Sequence, residues 1–188
     1  MRTKTALITL LALVLGVFGT GCDLDDDGIG RSVVEVVSIN DNDPVVSFVQ
    51  NTDGDILVDE ITVLVRNRAY SNLVNAPEGA PYDAFVVDQM RVEWIPTTAG
   101  TAGDALPQYN RTFGYSYVIP VGETVEMAVP LVTIEMKTSP MLQGLIAGDP
   151  GFGATAMVTL MGHESGAPDT GRSFSFGVHV DFAGTLAN

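Results

Sequence analysis

Hydrophobic and polar residues alternate with a period of two through most of this chain. Between Arg172 and Phe182 the even positions Phe174, Phe176, Val178, Val180 and Phe182 are all apolar. The odd positions Ser173, Ser175, His179 and Asp181 are polar, with Gly177 among them. That period places alternate side chains on opposite faces of a pleated strand, one buried and one solvated. In 60–66, Ile61, Val63 and Val65 share a face, and in 88–95 Met90, Val92 and Trp94 oppose Gln89, Arg91 and Glu93. Further strands are expected at 32–40, 44–50, 112–119, 124–136 and 154–163, roughly eight in all, with Gly, Pro, Asn and Asp between them. Helical pattern is confined to 139–145, where Pro140 suits a first turn because its missing N–H costs little there. Two longer connections are expected: 67–84, which contains Pro77 and Pro81, and 96–109, rich in Thr, Ala and Gly. The segments 154–163 and 172–182 read as a terminal hairpin about 165–171, centred near Pro168.

This pattern predicts an all-β domain over 32–188. With no internal repeat, the expected architecture is an immunoglobulin-like two-sheet antiparallel sandwich, with a jelly roll or closed barrel as the alternative. Trp94 is placed in the core. The cysteine pair of antibody domains is absent, since the chain has one cysteine. The domain is therefore expected to rest on its apolar core rather than on a disulfide.

That cysteine, Cys22, ends a leader. Arg2 and Lys4 supply positive charge, 6–18 is an uncharged and mostly apolar run, and Gly19-Thr20-Gly21 brings small residues up to Cys22. The run is shorter than the roughly 20 residues a spanning helix needs and has the order of a signal peptide. It resembles the processing site of bacterial lipoproteins, although Gly19 stands where that family usually has Leu. The resemblance implies a signal peptide at 1–21, lipid on Cys22 (palmitate among its acyl chains), and an acidic tether over 22–31. Loss of the leader takes two of the 9 basic residues and none of the 23 acidic ones, moving the net charge from −14 to about −16. Such a surface is repelled by nucleic acid and by anionic lipid, so DNA and RNA are excluded as partners.

The candidate chemistry is sparse. Asp23-Leu24-Asp25-Asp26-Asp27-Gly28 opens like a calcium loop, but an EF-hand would need a bidentate acid at Val34. The acidic turns at 40–43 and 51–55 offer Asp41, Asp43, Asp53 and Asp55 as weak calcium ligands, which together could line one end of a sandwich. No other metal site and no cofactor is expected. His163 is expected across from about Ser173, with His179 about six residues further along, near 20 Å at ~3.3 Å per residue. A shared metal or a catalytic histidine pair is therefore not expected. His179 and Asp181 project from one strand face. There is no G-x-S-x-G motif, and paired carboxylates for glycoside hydrolysis are not marked by local sequence. Tyr109, Tyr115 and Tyr117 are the nearest candidates for a sugar platform, with Tyr115 and Tyr117 on one face. Asn110-Arg111-Thr112 forms a glycosylation sequon.

The order of leader, acidic tether and single strand-rich domain ending in an alternating Phe/Val strand resembles uncharacterised bacterial cell-envelope lipoproteins with an immunoglobulin-like domain. The echo runs through 32–40 and 178–182. It implies a non-enzymatic module held to the membrane by its N-terminal lipid and contacting an envelope protein or surface partner. The alternative is a calcium-dependent binder of small ligands or glycans. The envelope is the expected location, with the outer membrane ahead of the inner. Asp23 after the cysteine resembles an inner-membrane retention signal of enteric bacteria, a rule that does not transfer safely to other groups. The terminal strand generates a first prediction: a chain ending before Arg172 should be insoluble or unfolded, and a soluble, cooperatively melting truncation would refute it.

Overall fold

A computed structural model of the protein describes residues 32–69, 84–97 and 100–185. The expected leader over 1–21, Cys22, the acidic stretch after it, and most of the 67–84 connection, with Pro77 and Pro81, lie outside the described residues. Eight strands follow in order: β1 (Ser32–Ile39), β2 (Val45–Gln50), β3 (Asp59–Ala69), β4 (Phe85–Pro96), β5 (Arg111–Ile119), β6 (Thr124–Val132), β7 (Phe152–Glu164) and β8 (Ala167–Thr185). Two short helices, α1 (Ile134–Lys137) and α2 (Pro140–Ile146), lie between β6 and β7. The strands form a three-stranded sheet ordered β1-β3-β6 and a five-stranded sheet ordered β2-β8-β7-β4-β5.

The alternation expected of the strands holds. Ile61, Val63 and Val65 are buried on β3, Met90, Val92 and Trp94 on β4, and Phe176, Val178, Val180 and Phe182 on β8. Trp94 lies in the core, its ring centroid 5.5 Å from that of Phe182, which stacks on Phe152 at 5.0 Å. Burying each large apolar side chain contributes roughly 1.5–3 kcal/mol. The helices close one end of the core, inserting Met136, Leu142 and Leu145. Ser139 Oγ accepts from the Leu142 N–H and caps α2, with Pro140 at its first turn.

Four expectations are corrected. The sheets are not wholly antiparallel: β2 runs parallel to β8, Val45 opposite Val180 and Gln50 opposite Thr185. The chain reaches that edge from the other sheet through Asn40, Asp41 and Asn42, all with positive φ (49°, 51° and 67°). Asn and Asp tolerate this left-handed backbone better than other side chains. Second, the strand expected over 124–136 stops at Val132. Thr133 Oγ1 accepts from the Met136 N–H and starts α1, because two alternating apolar residues cannot distinguish a strand from a helical turn. Third, the 96–109 connection is not wholly irregular. Ala102–Tyr109 forms a 3₁₀ helix, driven by Leu106, which it buries completely. Fourth, the terminal hairpin turns at Ser165-Gly166. Residues 168–171 then oppose His163 alone, between the Gly162–Arg172 and Glu164–Ala167 pairs. Pro168, lacking an N–H, falls where the ladder is interrupted.

Two ion pairs pin opposite ends of the sandwich. At the helical end, Lys137 Nζ donates to Asp59 Oδ1 at 2.6 Å, tying α1 to the start of β3; the lysine side chain is 3% exposed and the aspartate 27%. At the far end, buried Glu164 on β7 accepts from Ser32 N at 3.0 Å and from Arg172 on β8, while Arg172 Nη1 also donates to Ser32 O at 2.9 Å. The start of β1 is thereby locked to the β7–β8 hairpin of the other sheet.

The unequal burial of the Lys137–Asp59 pair makes its two truncations unequal. Asp59→Ala strands a buried ammonium and should cost about 3–5 kcal/mol. Lys137→Met leaves a carboxylate within reach of water and should cost clearly less, and the double variant should recover most of the Asp59→Ala loss. Urea unfolding of the three variants checks this; equal single losses with no recovery would contradict it.

Candidate functional site

A groove lies at a structural irregularity on the outer face of the five-stranded sheet. β4 shifts register between Val87 and Gln89 against both of its neighbours, and β7 shifts against β8 between Gly162 and Glu164. These bulges lie side by side, since Val86 pairs with His163 and Val87 with Gly162. Bulges bend strands, re-aim side chains and concentrate beside functional sites. Gly162 permits the bend, because a Cβ there would collide with the Val86 carbonyl oxygen.

The bend turns Asp88 and His163 towards each other, with His163 Nδ1 2.7 Å from Asp88 Oδ2. Beside them opens a groove of about 390 Å³ lined by Asp88, Gln89, Met161, Arg172 and Ser173. The groove is shallow and open to solvent, unlike the enclosed pockets that bury most of a small ligand. The carboxylate offers an acceptor and orients the imidazole, Gln89 and Ser173 offer both donors and acceptors, and Met161 supplies an apolar wall. The Arg172 guanidinium is committed in part to Glu164 and Ser32.

The residues expected from sequence fall elsewhere. His179 pairs with Thr155 on β7, eight positions from His163, or about 26 Å at ~3.3 Å per residue. The histidines are thus further apart than the six positions expected. His163 lies beyond Ser173, whose partner is Met161. His179 and Asp181 do share a face, Nε2 to Oδ1 at 3.2 Å, with both side chains more than half exposed. Asp41 and Asp43 precede β2, whereas Asp53 and Asp55 follow it, so the two pairs sit at opposite ends of that strand and do not line one end together. The 51–55 turn is closed internally: Asn51 Oδ1 accepts from the N–H groups of Asp53 and Asp55 at 2.9 and 2.8 Å. Among the described residues, no three His, Cys, Asp or Glu side chains come together as a metal site. Cys22 lies outside the described residues.

Tyr115 and Tyr117 do share a face, with ring centroids 6.2 Å apart. Tyr115 Oη donates to Ala128 O at 2.8 Å and Tyr117 Oη to Glu126 O at 2.7 Å. Both reach from an edge of one sheet to backbone acceptors on the edge of the other, so they join the layers. Tyr109 is part of the 3₁₀ helix and packs against the core. Asn110 of the sequon turns its Oδ1 to the Trp94 N–H at 2.7 Å and extends the β4–β5 pairing. Sequence reasoning missed the Asp88–His163 groove, since those residues are 75 positions apart. The local signal was Gly162 within an otherwise continuous strand, a mark of a bulge or close backbone approach.

Comparison with known proteins adds little. No protein-family model matches the chain, and no curated protein matches it. Among solved structures, the chain is similar to a solution structure described as a late embryogenesis abundant (LEA) protein. The identity is 12% and the TM-score 0.40, over 97% of this chain and 87% of that one. A likeness at that level carries no argument.

The tyrosine clasp carries a pH dependence. Burial, followed by the neighbouring Tyr117 and Glu60 charges, raises the Tyr115 pKa above its ordinary 10.0. Above pH 10 the unfolded chain releases this proton while the folded one retains it, so stability falls as pH rises through the folded pKa. Below pH 10 the contribution is fully present. Tyr115→Phe should lose about 1 kcal/mol near neutrality and flatten part of the alkaline decline. Melting curves from pH 8 to 11.5 test this; an unchanged alkaline slope in the variant would refute the assignment.

Proposed function

We propose that this chain is a membrane-anchored lipoprotein of the bacterial cell envelope whose domain, immunoglobulin-like in its two-layer plan, is a non-enzymatic protein-interaction module. The single observation that carries the reading is Cys22, the one cysteine of the chain, standing behind a basic, apolar and then small-residue leader and ahead of an acidic stretch. The domain's use of its ionisable groups supports the non-enzymatic part. Lys137, Asp59, Glu164 and Arg172 are engaged in holding sheets and helices together. Tyr115 and Tyr117, the aromatic candidates, also tie the layers to each other. The excess of acidic side chains favours a protein partner over nucleic acid or anionic lipid.

The alternative is a calcium-dependent binder of small ligands or glycans, and the open groove beside Asp88, with Gln89 and Ser173 as polar groups, is the place on the described surface where its small-ligand part would be sought. Its calcium part is weakened by the separation of the two acidic turns along β2.

The test is the mass of the N-terminal peptide from native membranes. The expected result is a diacyl- or triacylglyceryl-modified Cys22 at the new N-terminus, with Cys22→Ala releasing the protein from the membrane fraction. An unmodified N-terminus in the soluble fraction would refute the anchor.

A further inference from the structure

We propose that the free edge of β2 is a docking strand for an extended, basic segment of a partner protein. This names the partner chemistry for the interaction module above and rests on that reading. Among the described residues the sandwich has four strand edges, and three are blunted. β1 has a bulge between Val36 and Ser38, and its Glu35 is engaged by Arg66 and Arg68. The β5 and β6 edges are joined by the tyrosine clasp, and β6 carries Pro130. β2 pairs with β8 and with no other described strand. Its sequence, VVSFVQ, holds no charge and no proline, and its register against β8 carries no bulge. An uncharged apolar edge presents unpaired N–H and C=O groups and invites another strand.

The ground beside this edge specifies what would bind. Between β2 and the start of β3 lies a groove of about 140 Å³ lined by Val46, Phe48, Leu57, Asp55, Asp59 and Lys137. Val46 and Leu57 are 43% and 56% exposed, high for side chains of their size. Asp59 gives one oxygen to Lys137, while its buried Oδ2 has no hydrogen-bond partner among the described residues. Asp55 is held at the groove by the closed 51–55 turn. All six described Lys and Arg side chains already have carboxylate partners, and none of those partners is Asp41, Asp43, Asp53 or Asp55. The edge is thus apolar along its length and acidic at both ends.

A lysine or arginine fits this ground, laying its aliphatic stem on Val46, Phe48 and Leu57 and its cationic head near Asp55, since Asp59 is already paired with Lys137. An added strand presents every second side chain to one face, so the matching sequence alternates basic and apolar residues. The other occupants carry the wrong sign. The 23–31 segment of the chain holds Asp23, Asp25, Asp26 and Asp27, and a second copy would bring its own acidic turns against these.

Purified full-length protein is titrated with an eight-residue peptide alternating lysine and valine, and with the same peptide carrying glutamate for lysine. The basic peptide should bind, the acidic one should not, and 0.5 M salt should weaken binding. Val46→Lys, at an exposed position, should weaken it at least tenfold with an unchanged melting temperature, and Asp55→Asn several-fold. Equal binding of both peptides, binding that survives Val46→Lys, or no binding would each overturn the proposal. So would a dimer in sedimentation that Val46→Lys abolishes, which would assign the edge to a second copy. An acylated Cys22 without peptide binding sinks this inference alone; peptide binding with an unmodified Cys22 sinks the anchor alone.

Discussion

Burial of one face of β8 is the constraint on which the rest of the structure depends. The strand is 19 residues long and lies between β7 and β2. Its apolar face meets both layers and the helical cap. A slip of one residue would exchange Phe176, Val178, Val180 and Phe182 for Ser175, Gly177, His179 and Asp181. Its neighbours therefore conform to it. Phe152 and Trp94 pack on Phe182. Gly184 lets the Leu145 carbonyl of α2 approach closer than a Cβ would allow. Where the hairpin cannot keep both a tight turn and this burial, β8 yields by bulging at 168–171 and the buried face is kept.

Polar groups supply what the apolar stripe lacks, which is a fixed relation between the two sheets and their connections. Apolar packing is non-directional, whereas Lys137–Asp59 and the Glu164–Arg172–Ser32 cluster join named points of different elements. Asn67 adds a third tie: its Nδ2 donates to Ile119 O at 2.9 Å, and its backbone bonds Gly122 and Glu123 in the β5–β6 connection. Buried pairs add little net stability over well-packed apolar groups, but removing one partner is expensive. They therefore penalise alternative arrangements more than they stabilise this one.

The legible part of the fold was the part governed by local periodicity. All eight strands follow from alternation and punctuation, as do the core position of Trp94 and the capped turn begun by Pro140. What escaped depends on partners distant in sequence. The direction of β2 is set by where β8 lies, and the helical turn after Val132 by the fit of Met136 and Lys137 beneath β3. The turn at Ser165-Gly166 competes with a proline two residues later, and the sequence shows both signals without ranking them. The Asp88–His163 groove needs two bulges in register on adjacent strands, which no single segment records. Glu164 reads as an ordinary polar position, because its burial comes from β1 closing over it.

Charge and edge protection are linked in this molecule. A single lysine, Lys137, lies beyond residue 21, and it is buried. The device by which edge strands most often repel other chains, an exposed lysine, is therefore missing from the whole described surface. Edge protection falls instead to tyrosine hydroxyls, a proline, a bulge and paired arginines, each of which needs a neighbouring element to act with or on. β2, the strand reached by crossing from the other sheet, pairs with β8 on one side and with no described strand on the other. Its exposure follows from a cation-poor composition combined with a crossing strand, and the acidic residues that remain beside it set the sign of what can cover it.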